Sequence, residues 1–198
     1  MDGILAIALG YLLGSVPFGL LLTRLTGAGD LRAIGSGNIG ATNVLRTGRK
    51  GLAAATLALD LAKGLAAVLL ARAIWPDAEP YAATGATIGA VLGHCFPVWL
   101  RFRGGKGVAT LAGVCFGLAL AIGATYAVLW LGVLALARIS SLGGMTAAIG
   151  APIAALVFGY PEYAAPLAGL AALVLWLHRA NIARLRAGTE PRIGADKR

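Results

Sequence analysis

The chain has 198 residues, of which 59% are hydrophobic and only 13% charged, about half the charged share of an ordinary soluble domain. Its mean hydropathy is +0.82, which excludes a disordered chain and leaves a soluble domain of this size short of polar surface. Two cysteines exclude a disulfide scaffold. The composition is that of a polytopic membrane protein, expected to be all-α because lipid demands that backbone polar groups be satisfied internally, and to form one domain over residues 1–198. The net charge is +9. In a membrane protein this reads as cytoplasmic loops rich in Lys and Arg, with anionic substrates and lipid headgroups as partners and no nucleic acid.

A spanning helix needs about 20 apolar residues. Residues 4–22 are the first candidate. Met1-Asp2-Gly3 lacks the basic start of a cleavable signal, so this stretch is expected to be retained. The segment 23–51 follows, with Arg24, Arg32, Arg46, Arg49 and Lys50. It contains Gly35-Ser36-Gly37-Asn38-Ile39-Gly40-Ala41-Thr42-Asn43 and then Arg46. The G-x-G-x-x-G here lacks the strand and helix of a dinucleotide fold. Glycines still allow backbone N–H groups to approach a phosphate. Ser36, Asn38, Thr42 and Asn43 add hydrogen bonds, and Arg46 suits a bidentate phosphate clamp. The alternative is a polar loop with tight turns.

Residues 52–74 form the second span, with Asp60 and Lys63 on one face at i, i+3. They read either as a structural pair or as support for a site. The connection at 75–80 carries Asp77 and Glu79. Residues 81–100 form the third span and lead through His94-Cys95-Phe96-Pro97 to Arg101-Phe102-Arg103-Gly104-Gly105-Lys106-Gly107. The N–H groups of Gly104, Gly105 and Gly107 are candidates to cradle a phosphate at a helix start, with Lys106 as point charge. It is no Walker loop, because Gly107 follows the lysine. His94 is either a substrate contact or a structural histidine. Cys95 and Cys115 read as small packing residues.

Residues 108–137 carry no charge. As one helix they would be about 45 Å long, against a hydrocarbon core of about 30 Å. Placing both 101–107 and Arg138 in the cytoplasm requires a hairpin, expected to turn near Gly123. Ser140-Ser141-Leu142-Gly143-Gly144 then opens the span 142–158, as a helix cap or as a hydroxyl site at Ser141. The span 162–178 leads to His178-Arg179-Ala180-Asn181 and Glu190. If that helix continues, His178 and Asn181 share a face, and Glu190 can pair with an arginine to order the tail. Fifteen of the seventeen basic residues lie in segments 23–51 and 101–107, at Arg138 and in the tail from Arg179 to Arg198. This predicts seven helices, with the N-terminus outside and the C-terminus inside. No histidine or cysteine cluster has metal-ligand spacing, and no metal or cofactor is expected.

These motifs, in this order, resemble the bacterial acyl-phosphate:glycerol-3-phosphate acyltransferase family. The resemblance also takes in Gly14-Ser15-Val16-Pro17-Phe18-Gly19 and Asp60-Leu61-Ala62-Lys63-Gly64. It implies a seven-helix inner-membrane enzyme, with its active site facing the cytoplasm. The enzyme would move an acyl chain from acyl phosphate to the 1-hydroxyl of sn-glycerol 3-phosphate. Lysophosphatidic acid and inorganic phosphate would result, in phospholipid synthesis. Catalytic roles then fall to Ser36, Arg46, Lys106, Ser141, His178 and Asn181. Substrate contacts fall to Asn38, Thr42, Asn43, His94, Gly104, Gly105 and Gly107. The proton would pass to His178, to His94 or to the donor phosphate; an acyl-enzyme on Ser36 is a further option. The histidine and aspartate five residues on that mark soluble glycerolipid acyltransferases are absent, since Trp99 and Ala183 occupy the matching positions. The resemblance also predicts a second serine near Ser141, where Gly143-Gly144 stand. The rival class is a transporter for an anionic metabolite using the same helix-end sites. A regulatory protein of the lipid surface would explain the basic loops but not the glycine spacing.

Overall fold

A computed structural model describes residues 1–194; Lys197 and Arg198, counted above in the basic tail, lie outside the described residues. The described residues are helical, without strands. Among the described residues, five helical segments are long and apolar enough to cross a membrane: Asp2–Leu25, Lys50–Ile74, Tyr81–Leu100, Leu120–Ala137 and Ser140–Val157. A bent pair, Pro161–Leu177 with Arg179–Arg186, makes a sixth candidate. Large apolar side chains such as Ile4, Leu131 and Leu136 stand exposed, as a lipid-facing surface requires. The helices gather into two compact units, Met1–Leu118 and Ala119–Arg198.

In the first unit the expected helix over 4–22 is broken. α1 (Asp2–Gly14) ends before Ser15-Val16-Pro17, and α2 (Phe18–Leu25) starts after it. Pro17 has no N–H and disfavours helical backbone at Val16, so two carbonyls lose their intrahelical partners. Side chains replace them. Trp99 Nε1 donates to the Ser15 carbonyl at 2.8 Å, and Lys63 Nζ donates to the Val16 carbonyl at 2.8 Å. Next come α3 (Ala41–Leu45), α4 (Lys50–Ile74), α5 (Tyr81–Cys95) and α6 (Val108–Leu118).

α1 and α5 meet backbone to backbone. A Cβ on Gly10 or Gly14 would strike the carbonyl oxygen of Ala86 or Ala90. One on Gly85, Gly89 or Gly93 would strike that of Gly3, Ile7 or Tyr11. Two faces of small residues at four-residue spacing thus interlock, which is how helices associate where lipid removes the hydrophobic drive between them. α4 and α6 repeat the device at Gly64 and Gly113, whose Cβ atoms would meet the Thr110 and Leu61 carbonyls.

The uncharged stretch 108–137 is interrupted, but at Ala119 and not near Gly123, which lies inside α7 (Leu120–Ala137). The reason is distant in sequence. Arg72 donates from Nη1 to the Gly117 carbonyl at 2.6 Å and from Nη2 to the Leu118 carbonyl at 2.9 Å. A cation on the last carbonyls of a helix satisfies its C-terminus and its dipole. Glu79 pairs with the same guanidinium.

The second unit holds α7, α8 (Ser140–Val157), α9 (Ala164–Leu177) and α10 (Arg179–Arg186). Arg138 closes α7 with φ 59°. Its carbonyl accepts from the Ile193 N–H at 2.7 Å and its Nε donates to the Ile193 carbonyl at 3.1 Å, which ties down the tail.

Candidate active site

The first glycine-rich loop is built around Asn43, which is buried in the first turns of α3. Its Nδ2 lies 3.0 Å from the Leu31 carbonyl, 2.9 Å from that of Ile34 and 2.8 Å from that of Asn38. Its Oδ1 accepts from the Ser36 N–H at 3.1 Å. All its polar atoms are thus spent on the loop, so the structure makes Asn43 an internal brace where a substrate contact was expected. Asn38 Oδ1 accepts from the Gly40 N–H at 2.9 Å and holds the turn into α3. Gly35 and Gly37 have φ +54° and +68°, which only glycine adopts without strain. Ser36 and Thr42 are exposed along the loop.

Arg46 is exposed at the end of α3. Its side chain lies across Gly35, where a Cβ would come within 2.7 Å of Cδ and Nη1. Arg24, Arg32, Arg72 and Arg184 pair with acids. No carboxylate among the described residues pairs with Arg46. Next to this loop, Asp30 accepts from Arg32, which holds its carboxyl well below the usual range.

The second loop is a correction. The Gly104 N–H donates to the Cys95 carbonyl and the Gly105 N–H to the His94 carbonyl, both at 3.0 Å. Those two amides are occupied and do not cradle a phosphate. Their glycines are needed for close approach, because a Cβ on Gly104 would strike the His94 carbonyl oxygen and one on Gly105 the His94 ring. Gly107, with φ +84°, turns the chain into α6, and its carbonyl accepts from the Leu111 N–H. Lys106, half-buried, stands where α6 presents its positive end.

His94 is 4% exposed, and its Nδ1 lies 3.0 Å from Lys63 Nζ. A lysine ammonium only donates, so Nδ1 accepts and the ring proton sits on Nε2 against Gly105. The ring packs between Lys63 and Gly105, the structural alternative to the expected substrate contact. Asp60 and Lys63 do pair, at 2.7 Å.

In the second unit Glu190 gathers the predicted residues. Ser141 Oγ donates to its Oε1 at 2.6 Å, Asn181 Nδ2 to the same oxygen at 2.5 Å, and Arg184 Nε to Oε2 at 2.6 Å. Burial pushes the Glu190 carboxyl up, but these donors outweigh it and hold it below its ordinary value. The expected pairing of Glu190 with an arginine is met by Arg184. The last helix, however, does not continue: α9 and α10 bend by 61° at His178. His178 and Asn181 therefore do not share one helical face, although both are buried. His178 Nδ1 lies 2.8 Å from the Val174 carbonyl, which puts the ring proton there and makes Nε2 the basic nitrogen. Gly143 and Gly144 stand where a second serine was expected; a Cβ on Gly143 would come within 2.9 Å of the Trp130 carbonyl oxygen. Glycine there lets α8 approach α7. Among the described residues no His, Cys, Asp and Glu group could hold a metal.

Comparisons with known proteins bear on these motifs together. The family model for glycerol-3-phosphate acyltransferase matches residues 4–188. A glycerol-3-phosphate acyltransferase of Novosphingobium aromaticivorans is 71% identical over 197 residues, covering 100% of this chain and 98% of its own. One from Erythrobacter litoralis is 58% identical over 194 residues, covering 98% and 96%. The crystal structure of PlsY (YgiH), an integral membrane glycerol 3-phosphate acyltransferase in its glycerol 3-phosphate form, superposes with a TM-score of 0.90 at 37% identity, covering 98% of this chain and 96% of that one. The same protein in its lysophosphatidic acid form gives 0.89 at 36% identity, with the same coverage. The chain belongs to the glycerol-3-phosphate acyltransferase family of integral membrane proteins.

Proposed function

We propose that this chain transfers an acyl group from an acyl phosphate to the 1-hydroxyl of sn-glycerol 3-phosphate, yielding lysophosphatidic acid and inorganic phosphate for phospholipid synthesis. The observation that carries this reading is Arg46, a guanidinium paired with no carboxylate among the described residues, laid over a glycine-rich loop that Asn43 braces from within. Such a group is set up for an anion with paired oxygens.

An acyl phosphate is an activated mixed anhydride, so no enzyme nucleophile is required. The acceptor oxygen forms a bond to the acyl carbon, and the carbon–oxygen bond to phosphate breaks with its electron pair on phosphate. The hydroxyl proton passes to the departing phosphate, which buffers near neutrality. Catalysis is then positioning and charge stabilisation. Arg46, Ser36, Asn38 and Thr42 bind phosphate on the first loop, and Lys106 does so at the start of α6. Ser141 serves the leaving group, and Asn181 and His178 orient the reacting carbonyl. Asn43, His94, Gly104 and Gly105 shape the loops.

The bent sixth candidate and the short α6 bring the spans to seven. We place the N-terminus outside, the basic loops in the cytoplasm and the whole in the bacterial inner membrane. A reporter fused at residue 124 should read as periplasmic; a cytoplasmic reading would break this topology.

The test uses purified protein in lipid cubic phase with glycerol 3-phosphate and palmitoyl phosphate, followed by phosphate release, with palmitoyl-CoA as a parallel donor. Release that needs both substrates and forms lysophosphatidic acid supports the reading. Activity with the CoA ester alone overturns the donor. Silence of folded protein with both donors points to a transporter, to be sought by flux in liposomes.

A further inference from the structure

Asp60, Lys63 and His94 meet inside the first unit, at 2%, 6% and 4% exposure. Lys63 Nζ is 2.7 Å from Asp60 Oδ1, 2.8 Å from the Val16 carbonyl and 3.0 Å from His94 Nδ1. The ammonium is thereby ion-paired to Asp60 and hydrogen-bonded to Val16 and His94, three groups from different parts of the chain.

One line of contact leads to the first loop. The Val16 carbonyl is released by the Pro17 break, and α2 begins at Phe18, whose ring centroid is 5.7 Å from Nζ. On the next residue, Gly19, a Cβ would strike the carbonyl oxygen of Ile39. The start of α2 therefore rests directly on the loop between Asn38 and Gly40. The other line leads to the second loop. The His94 ring lies against Gly105, and the His94 carbonyl takes the Gly105 N–H. Ring and backbone together seat the residue before Lys106.

We propose that Lys63, held by Asp60, is a positioning residue for acyl transfer: through Val16 and His94 it sets the spacing between the loop carrying Ser36 and Arg46 and the loop carrying Lys106. This rests on the reading that both loops bind substrate phosphates. An ion pair that served stability alone would need Asp60 and nothing more, and buried pairs add little net stability over apolar residues. The carbonyl contact also closes the Pro17 break, so the imidazole contact, which leads to the second loop, is the part that stability does not require. Two phosphates bound at the wrong spacing still bind, but the hydroxyl no longer attacks in line, so turnover suffers before affinity does.

The experiment compares wild type with Asp60→Asn/Lys63→Met, a double variant that keeps side-chain volume and leaves no unpaired buried charge. Detergent-purified protein is first checked for a monodisperse profile and a cooperative thermal transition, and then kcat and KM are measured for both substrates. The expected result is a kcat about 100-fold lower with either KM within about threefold of wild type. A folded double variant with wild-type kcat overturns the proposal, and so does a loss confined to KM. Failure of the double variant to fold also overturns it, because the cluster would then be holding the bundle together. A wild type without turnover in the same assay removes acyl transfer itself, which is a different failure.

Discussion

The Ser141 hydroxyl donates to Glu190 Oε1 across 2.6 Å, joining residues 49 positions apart. With Asn181 and Arg184 on the same carboxylate, this contact folds the tail back onto the start of α8. Replacing Glu190 with Ala leaves several donors unmatched and should cost about 1–3 kcal/mol. The sign of the pH effect follows from the lowered carboxyl. Its contribution is present above the unfolded carboxylate range and is lost as pH falls through the folded value. Thermal unfolding of wild type and Glu190→Gln from neutral to acid pH checks this: the two should converge at low pH. A gap that stays constant with pH would show that the charge is not involved.

Asn43 faces three carbonyls with its amide nitrogen. Asn43→Asp should therefore be no better than Asn43→Ala, although it is the nearer isostere, since a carboxylate cannot donate and is repelled by those oxygens. Each should lose about 2–3 kcal/mol of stability at the loop and most of the activity. Limited proteolysis between residues 31 and 43, together with turnover, reads both effects. An active Asn43→Asp would make Asn43 something other than a brace.

Arg46 is exposed and pairs with no acid among the described residues. Arg46→Ala should leave the unfolding temperature unchanged and lower kcat/KM about 100-fold or more, with Arg46→Lys recovering little because a point charge cannot replace the fork. Lys106→Ala should also be nearly inactive. Near wild-type turnover in either variant would remove that residue from phosphate binding.

The glycines divide by what surrounds them. Gly10→Ala and Gly89→Ala push a methyl into the carbonyls of Ala86 and Ile7, and should each cost about 1–3 kcal/mol by overpacking. Gly132 and Gly169 lie in helices with nothing within 4 Å. Alanine there should be neutral or stabilising by up to about 1 kcal/mol. Thermal unfolding of the four variants in one detergent tests the opposite signs.

Much of the architecture was legible because it depends on composition and local pattern. The long apolar stretches became helices, and the basic segments fell between them. What failed to read depends on distant partners. Gly123 was the evident turn residue in 108–137, but Arg72, over forty positions upstream, captures the carbonyls of Gly117 and Leu118 and ends α6 there. Pro17 is a visible helix breaker, yet it takes Lys63 and Trp99 to make the break inexpensive. Asn43 shows why residue type alone does not separate a ligand from a brace: an amide suits either, and only its neighbours decide. Gly104 and Gly105 looked like a phosphate cradle for the same reason, until their N–H groups were found on Cys95 and His94. The bend at His178 has no proline or glycine to announce it. The four-residue spacing of Gly85, Gly89 and Gly93 opposite Gly10 and Gly14 is a signal that only the set carries, since each glycine is uninformative singly.

α6 has 11 residues and rises about 16 Å, near half of a hydrocarbon core of about 30 Å. In the topology proposed above, one of its ends lies at the depth of the acyl chains. Irregular backbone survives there only with its hydrogen bonds closed or with access to water, and the bonds from Gly104 and Gly105 to the preceding helix end meet that demand. A reactant dissolved in the leaflet could then bring its headgroup to Lys106 while its tail stays in oil. The cost of lifting a long chain into water, about 0.8 kcal/mol for each methylene, would never arise, and such a donor would need no soluble protein to carry it.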